Sequence, residues 1–249
     1  MSQTLVLDLG NSRMKWGLYG PRGWMAAGVT SNTDIGSLAL RDWQNLPRPL
    51  RAIGVNVAGE AARVRVEAQV ARWRLTPQWL MSSAAACGVS NGYRTPTQLG
   101  PDRWASLIAA RQRSLGADLF PSPAIVVNAG TAVTVDALDG EGRFVGGIIL
   151  PGLRLMLRAL AENTAALKVS AGGFTAFPDN TADALYSGAV QAVTGAIEQM
   201  RARLDEPERS ARCFLAGGAA QELAPHLTGN VEVVDNLVLE GVLALAHAT

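Results

Sequence analysis

The sequence contains few of the residues from which disulfides and metal sites are built. Its 249 residues include only two cysteines, Cys87 and Cys213, and two histidines, His226 and His247. A disulfide framework or a structural zinc site needs more of these residues at close spacing. The composition therefore disfavours both a disulfide framework and a zinc site. It predicts that the two cysteines are reduced and behave as small apolar residues.

The sequence also lacks long apolar segments and an excess of charge of either sign. No apolar run approaches the about 20 residues that span a bilayer, and the formal net charge is +1. The N-terminal stretch has no basic residue and Asp8 interrupts its short apolar run, so it does not have the pattern of a signal peptide. We expect a cytoplasmic protein that binds neither membranes nor nucleic acids, since nucleic-acid binders carry concentrated basic surfaces.

Lysine is the third scarce residue type. Among 22 basic residues only Lys15 and Lys168 are lysines, so arginine supplies the general surface charge. Lys15 lies just after a glycine-containing turn at residues 10–12. Because a flexible ammonium group is well suited to binding phosphate, the position of Lys15 suggests a specific role.

What the sequence does contain is an internal repeat. Residues 5–12 (Leu-Val-Leu-Asp-Leu-Gly-Asn-Ser) resemble residues 125–132 (Ile-Val-Val-Asn-Ala-Gly-Thr-Ala). Each copy is an apolar strand with an Asp or Asn near its end, a glycine two residues later, and a second strand after the turn. The repeat predicts a duplicated α/β domain with mixed sheets. The irregular segment 118–123 marks the boundary between domains 1–117 and 118–249.

Other segments fit two α/β halves. Apolar strands that run into glycine-containing loops are predicted at residues 51–58 and 212–219. The turn at residues 139–142 predicts a hairpin, and helical periodicity predicts three helices. The predicted hairpin strands are 133–138 and 143–150, and the predicted helices are 59–72, 102–115 and 182–204.

The first turn has the composition of a phosphate-binding site. Its backbone N–H groups could bind phosphate oxygens, Asp8 could hold a hydrated Mg²⁺ ion, and Lys15 could reach a transferred phosphoryl group. A plain surface hairpin is the alternative interpretation of one such turn. The candidate phosphate-binding residues are Asp8, Leu9, Gly10, Asn11, Ser12, Arg13, Met14 and Lys15.

Two further loops could serve the same nucleotide. The second turn, Asn128 to Thr131, would bind a triphosphate from the opposite side of a cleft, with Thr131 as a candidate ligand. Gly217 and Gly218 would let a flat adenine ring approach the backbone. Taken alone, paired glycines are also ordinary turn residues.

A carboxylate that could accept a proton from an alcohol precedes the predicted helix 102–115. Asp102 lies in the segment Gly100-Pro101-Asp102-Arg103-Trp104. An N-cap role is the simpler interpretation of Asp102. Both roles are compatible if the helix begins at the site, where its N-terminus would also favour an anionic substrate.

With these loops the sequence resembles the type III pantothenate kinases, in the superfamily of actin, hexokinase and the heat-shock chaperones. Residues 8–15 match the family's first phosphate motif, Asp-x-Gly-Asn-Ser/Thr-x-x-Lys, and residues 128–131 match its second, Asp-x-Gly-Thr, except at Asn128. Tyr93 followed by residues 100–103 matches the pantothenate segment. Further matches are Gly146-Gly147, Pro151-Gly152 and Asn180-Thr181.

The resemblance implies two ribonuclease-H-like domains flanking an ATP cleft, and phosphorylation of pantothenate with Mg²⁺ and ATP in coenzyme A biosynthesis. It makes Asp102 the proton acceptor and Thr131 an ATP ligand. It also implies a homodimer in which Thr181 reaches the pantothenate bound to the other protomer; taken alone, Thr181 could equally be a helix-capping hydroxyl. The implied pantothenate-binding residues are Tyr93, Gly100, Pro101, Asp102, Arg103 and Thr181.

The sequence departs from the family pattern at Asn128. The family usually has an Asp there, which helps to bind K⁺ or NH₄⁺, and Asn128 keeps the oxygen but loses the charge. We therefore expect activity to depend less on K⁺. Two other functions stay open, another small-molecule kinase of the same superfamily and a catalytically silent regulatory accessory protein.

Overall fold

The structure is a computed structural model that describes residues 3–117, 122–163, 171–204 and 209–248. Lys168 and most of the predicted boundary segment lie outside these ranges. The chain divides into two compact units. The first unit comprises Met1–Gln112 with Asn236–Thr249, and the second comprises Arg113–Asp235.

The first unit is built on a five-stranded sheet. Its strand order is β3-β2-β1-β4-β5, in which β1, β2 and β3 are antiparallel and β4 and β5 are parallel to β1. Helix α2 begins in this unit, and its last residues fall within the second. The strands of this sheet are β1 (Thr4–Leu9), β2 (Arg13–Gly20), β3 (Gly23–Ser31), β4 (Arg51–Asn56) and β5 (Gln78–Trp79). The short strands β6 (Ala85–Ala86) and β7 (Val89–Asn91), which are not part of this sheet, pair with each other. The helices are α1 (Glu60–Val70), α2 (Pro101–Ala117) and α6 (Leu237–Ala248).

The second unit repeats this sheet. Its strand order is β10-β9-β8-β11-β12, with β8, β9 and β10 antiparallel and β11 and β12 parallel to β8. Order and strand directions are those of the first unit, which confirms the duplicated, mixed-sheet α/β fold predicted from the sequence repeat. The elements are β8 (Ala124–Ala129), β9 (Ala132–Leu138), β10 (Arg143–Pro151), α3 (Leu153–Asn163), α4 (Thr181–Ala202), β11 (Arg212–Ala216), α5 (Ala220–Leu223) and β12 (Val231–Val233).

The alternation of side chains along β1 decides which face Asp8 occupies. Successive side chains of a strand point to opposite faces of the sheet. Leu5, Leu7 and Leu9 pack into a core with α1, whereas Val6 packs into a second core with residues of α2 and α6. Asp8 shares the face of Val6, and it therefore lies on the side covered by α2 and α6.

Helix α6 closes the first unit, although it follows the second unit in the sequence. Its buried leucines pack with β1 and β4, and Arg51 of β4 donates a 2.7 Å hydrogen bond to the Ala246 carbonyl. A Cβ atom at Gly241 would collide with the Ala105 carbonyl of α2, so the backbones of α6 and α2 touch there. The boundary predicted after residue 117 placed α6 in the second domain. In the structure, α6 belongs to the first compact unit.

Candidate active site

The turn between β1 and β2 presents an exposed backbone. The Gly10 N–H donates to the Arg13 carbonyl at 3.1 Å, which closes the turn. Asn11, Ser12 and Arg13 are exposed, while Leu9 and Met14 are fully buried in the core. Of the predicted phosphate-binding segment, residues 9 and 14 can therefore offer only backbone atoms.

Asn32, which the sequence analysis missed, braces this turn from the end of β3. Its Nδ2 group donates to the Gly10 carbonyl at 2.8 Å and to the Asn11 carbonyl at 2.9 Å. Its backbone N–H donates to the Ser12 carbonyl at 3.2 Å. One residue therefore contacts every carbonyl of the three-residue turn.

Asp8 and Lys15 lie opposite each other on neighbouring strands. They are register partners in the antiparallel pair of β1 and β2, and directly opposed residues project to the same face of a sheet. Both side chains are half-buried. The structure therefore brings the predicted metal-binding carboxylate and the predicted phosphate-binding ammonium group to one side of the turn.

Asp102 occupies the first turn of α2, on the covered face of β1. The helix begins at Pro101, so Asp102 is its second residue rather than its N-cap. Its Oδ1 atom accepts the Arg103 N–H at 2.8 Å, and Ser106 Oγ donates to its carbonyl at 3.0 Å. A carboxylate here interacts favourably with the helix N-terminus.

The two carboxyl groups have perturbed pKa values. Burial raises the pKa of Asp8 to about 7, repulsion by Asp102 adds to the rise, and the Lys15 charge opposes it. Burial also raises the pKa of Asp102, while the hydrogen bond from the Arg103 N–H and the positive charge of Arg103 lower it. Two half-buried carboxyl groups that repel each other create the negative potential that a divalent cation neutralises, so the residues present fit an Mg²⁺ ion beside Asp8.

The predicted acceptor segment is held together by Arg103, Tyr93 and Asn91. Arg103 is 5% exposed, donates to Tyr93 Oη at 3.2 Å and lies over the Tyr93 ring, 5.8 Å from its centroid. Asn91 Oδ1 accepts the Tyr93 N–H at 3.1 Å, and Asn91 Nδ2 donates to the Ser83 and Pro96 carbonyls at 3.2 and 3.1 Å. The structure therefore joins Tyr93 to the 100–103 segment through a buried guanidinium group.

The turn between β8 and β9 has the corresponding place in the second unit, and it is one residue shorter than the first turn. The Gly130 N–H donates to the Ala132 carbonyl at 2.9 Å, and the Gly152 N–H donates to the Thr131 carbonyl at 2.9 Å. Asn128 is half-buried at the strand position that corresponds to Asp8, and Thr131 is exposed. The predicted Pro151-Gly152 segment thus supports the second turn.

The glycine pair that follows β11 adjoins this second turn. Gly217 has φ +103°, and a Cβ atom there would collide with the Ala129 backbone, so only glycine fits without strain. The Ala219 N–H donates to the Ala129 carbonyl at 3.1 Å. Gly218 is exposed, with open space where a Cβ atom would be.

Thr181 lies at the start of α4, but it does not cap this helix. Asn180 is the N-cap, and its side chain accepts the Asp183 N–H at 3.0 Å. Thr181 is the first helical residue and is exposed. The capping interpretation of Thr181 was therefore wrong, because the residue before it has taken that role.

Comparison with known proteins identifies the family. The sequence model of the type III pantothenate kinases matches residues 4–203. A type III pantothenate kinase from Leptothrix cholodnii is 47% identical over 251 residues, which cover 97% of this chain and 95% of the relative. One from Nitrosospira multiformis is 46% identical over 250 residues, covering 98% and 91%. The chain belongs to the type III pantothenate kinase family.

Solved structures support the fold assigned to this family member. A conserved protein assigned to the Baf family of transcriptional activators, from Campylobacter jejuni, aligns with a TM-score of 0.62 at 19% identity over 98% of this chain and 97% of its own. Component A of (R)-2-hydroxyglutaryl-CoA dehydratase from Acidaminococcus fermentans aligns with a TM-score of 0.53 at 11% identity, covering 99% and 96%. At these identities the likeness shows the fold alone, which is that of the actin- and hexokinase-like ATPases.

The family match includes most of the predicted site residues. Residues 4–203 contain both phosphate-type turns, the segment from Tyr93 to Arg103, and Thr181. Gly217 and Gly218 lie beyond the matched residues. Within the described ranges, no helix is both long and apolar enough to cross a bilayer.

The raised pKa of Asp8 predicts a pH-dependent stability cost. The folded protein keeps the Asp8 proton up to about pH 7, whereas the ordinary pKa of an Asp side chain, which applies in the unfolded chain, is 3.8. Between these values the folded state binds more protons, so this carboxyl group lowers stability as pH rises through that window. Asp8→Asn removes the cost. We expect it to stabilise the metal-free protein at pH 8 and to have little effect at pH 4.

Urea unfolding midpoints at both pH values measure this difference. Asp42→Asn, which changes an exposed carboxylate of the same unit, serves as the control and should show no such gain. An equal effect of Asp8→Asn at pH 4 and pH 8 would contradict the prediction.

Proposed function

We propose that this chain transfers the γ-phosphoryl group of ATP to the terminal hydroxyl of pantothenate, the first step of coenzyme A biosynthesis. Family membership over nearly the whole chain supports this activity. One observation of the structure carries the proposal: Asp8, near the end of β1, lies on the face of the sheet that α2 covers, and Asp102 lies in the first turn of α2. A proton acceptor and a metal-binding carboxylate beside a phosphate-type turn are the groups that a kinase needs.

The phosphate-type turn of each unit is proposed to bind the nucleotide. In the first turn, residues 8–15 would offer backbone N–H groups and the Lys15 ammonium group to the β- and γ-phosphates. Thr131, exposed in the second turn, is proposed as a further phosphate ligand. The exposed backbone at Gly218, next to the closely packed Gly217, would face the adenine.

Mg²⁺ is proposed to bind beside Asp8, through water, together with the ATP phosphates. When bound it supplies positive charge that neutralises the phosphates and stabilises the charge of the transition state. Asp8 must be ionised to hold it, and its pKa near 7 means that binding would release protons at neutral pH. Lys15 supplies a second positive charge on the same side of the turn.

Tyr93, Gly100, Pro101, Asp102 and Arg103 are proposed to bind pantothenate. The Arg103 guanidinium group would complement the pantothenate carboxylate, and Asp102 would orient the terminal hydroxyl. As the hydroxyl oxygen bonds to the γ-phosphorus, the bond to the ADP oxygen breaks and the hydroxyl proton passes to Asp102. Because this transition state is loose, we expect Asp102 to act mainly through positioning and late proton uptake.

Replacing Asp102 tests this role. We expect Asp102→Asn to lower kcat by at least about a hundredfold, because the amide cannot accept the proton, while the KM for ATP changes little. The measurement is pantothenate-dependent ADP release with ATP and Mg²⁺, and circular dichroism reports the fold. Near-normal turnover would remove Asp102 from this role.

The same assay separates the proposed activity from its alternatives. A panel of other small alcohols in place of pantothenate tests the alternative that the chain is a different kinase. If no acceptor is phosphorylated, the result would favour the alternative of a catalytically silent regulatory protein. The side chains of Asp8, Lys15 and Asp102 argue for catalysis, since each matches a role in phosphoryl transfer.

We also propose a homodimer in which Thr181 contributes to the partner's pantothenate site. The exposed position of Thr181 at the head of α4 and the 93% exposure of nearby Phe177 support such an interface. Phe174 of the same segment is 40% exposed as well, and contiguous exposed apolar patches often mark contact surfaces. The site would then be complete only in the dimer.

Mixing two inactive variants tests the shared site. In a mixed dimer of Asp102→Asn and Thr181→Ala, one site keeps its own Asp102 and receives Thr181 from the partner. We expect co-refolded mixtures to recover about a quarter of wild-type activity if subunits pair at random. Mixtures no more active than the separate variants would show that Thr181 does not act across an interface.

Asn128 is proposed to weaken the monovalent-cation site of the family. A neutral amide oxygen holds K⁺ less strongly than a carboxylate does. We expect replacement of Na⁺ by K⁺ at constant ionic strength to raise turnover less in the wild type than in Asn128→Asp. Steady-state assays in the two salts provide the measurement. A wild type that is inactive without K⁺ would contradict this expectation.

A further inference from the structure

We infer that Asn32 is a positioning residue for phosphoryl transfer: it orients the backbone N–H groups of Asn11 and Ser12 toward the phosphates of the nucleotide. The inference rests on the proposed function, because it assigns the first turn to ATP. Asn32 lies outside the phosphate motif of residues 8–15, 21 positions after Asn11. The contacts of Asn32 with this turn carry the argument.

The geometry of the peptide bond links the carbonyls of the turn to its N–H groups. The peptide bonds are trans, so each carbonyl points opposite to the N–H group of the same peptide unit. The Gly10 carbonyl belongs to the unit that carries the Asn11 N–H, and the Asn11 carbonyl to the unit that carries the Ser12 N–H. Because Asn32 Nδ2 binds both carbonyls, at 2.8 and 2.9 Å, it turns both N–H groups away from itself.

Asn32 has a fixed orientation, and that orientation leaves one of its own atoms unsatisfied. Its Oδ1 atom is buried and has no hydrogen-bond partner among the residues that the structure describes. Rotating the amide by half a turn would instead place Oδ1 against two carbonyl oxygens. Buried polar atoms normally have hydrogen-bond partners. Asn32 therefore satisfies two carbonyls of the turn through Nδ2 and leaves its own Oδ1 atom without a partner.

The backbone of Asn32 is held in place from two directions. Its N–H donates to the Ser12 carbonyl at 3.2 Å, and Arg65 of α1 donates to its carbonyl at 3.1 Å. The brace is therefore attached to both the turn and a helix of the first unit. Such support lowers the reorganisation needed when charge develops on a bound phosphate.

Asn32→Asp removes the donor while keeping the size of the side chain. A carboxylate cannot donate to the two carbonyls, and its charge repels them. We expect the affinity for ADP and ATP, with Mg²⁺, to fall about tenfold or more, since two hydrogen bonds are lost. The affinity for adenosine, which has no phosphate, should be unchanged. Isothermal titration with the three ligands measures this split.

The wild-type titration separates this inference from the proposed function. If the wild type binds ATP and ADP no more tightly than adenosine, the proposed nucleotide site fails, and the inference fails with it. If the wild type shows phosphate-dependent tightening that Asn32→Asp keeps in full, the inference alone is overturned.

Two further variants exclude general damage to the unit. Asn32→Ala removes the donor without adding charge, and it should show the same loss for ADP and ATP with adenosine binding intact. Asn91→Asp makes the matched change at the asparagine that braces the Tyr93 loop, and it should leave the ATP-to-adenosine affinity ratio unchanged. Equal losses for all three ligands in the Asn32 variants, or a loss of that ratio in Asn91→Asp, would overturn the positioning role.

Discussion

The repulsion between Asp8 and Asp102 is the constraint on which the candidate site depends. Strand alternation places Asp8 on the face of β1 that α2 covers, and α2 carries Asp102 in its first turn. Both carboxyl groups are partly withdrawn from water, which raises their pKa values. Withdrawing these groups from water lowers the stability of the folded protein, and the positive charge of Lys15 offsets part of that loss. Under the proposed function, Mg²⁺ and the nucleotide would offset more of it and would therefore stabilise the folded state.

The fold was largely predictable, because its strongest signal is repetition. Two copies of one strand-turn-strand pattern predicted a duplicated sheet, and the strand orders of the two units agree with it. Helix α6 was missed because its apolar residues surround the helix and leave no polar stripe to detect. Strand β3 was missed because much of it is exposed, so it has no clear apolar alternation.

The parts of the site whose residues are close in sequence were predictable. The parts that depend on the pairing of strands distant in sequence were not. Asp8 and Lys15 flank one short turn, so strand alternation alone predicts that they meet. Asn32 reaches the same turn through the pairing of β2 with β3, whose register shifts between Leu18 and Tyr19. No local pattern encodes that shift, and an isolated asparagine after a strand resembles an ordinary loop residue. Asn180 was named only as a match to the family, just before the predicted helix 182–204, and its capping role became evident from the observed bond to Asp183.

The place of α6 in the fold has a consequence for biosynthesis. During translation, residues 113–235 emerge before α6 does, while the face of β1 and β4 that α6 covers is still open. Val6 and Ile53, fully or almost fully buried in the finished protein, would then be exposed on the nascent chain. The first unit thus begins to be synthesised first but is completed last. If translation stopped before residue 237, the released chain would lack α6 and would expose the hydrophobic face of its sheet. Chains with exposed hydrophobic surface are typical substrates for chaperones.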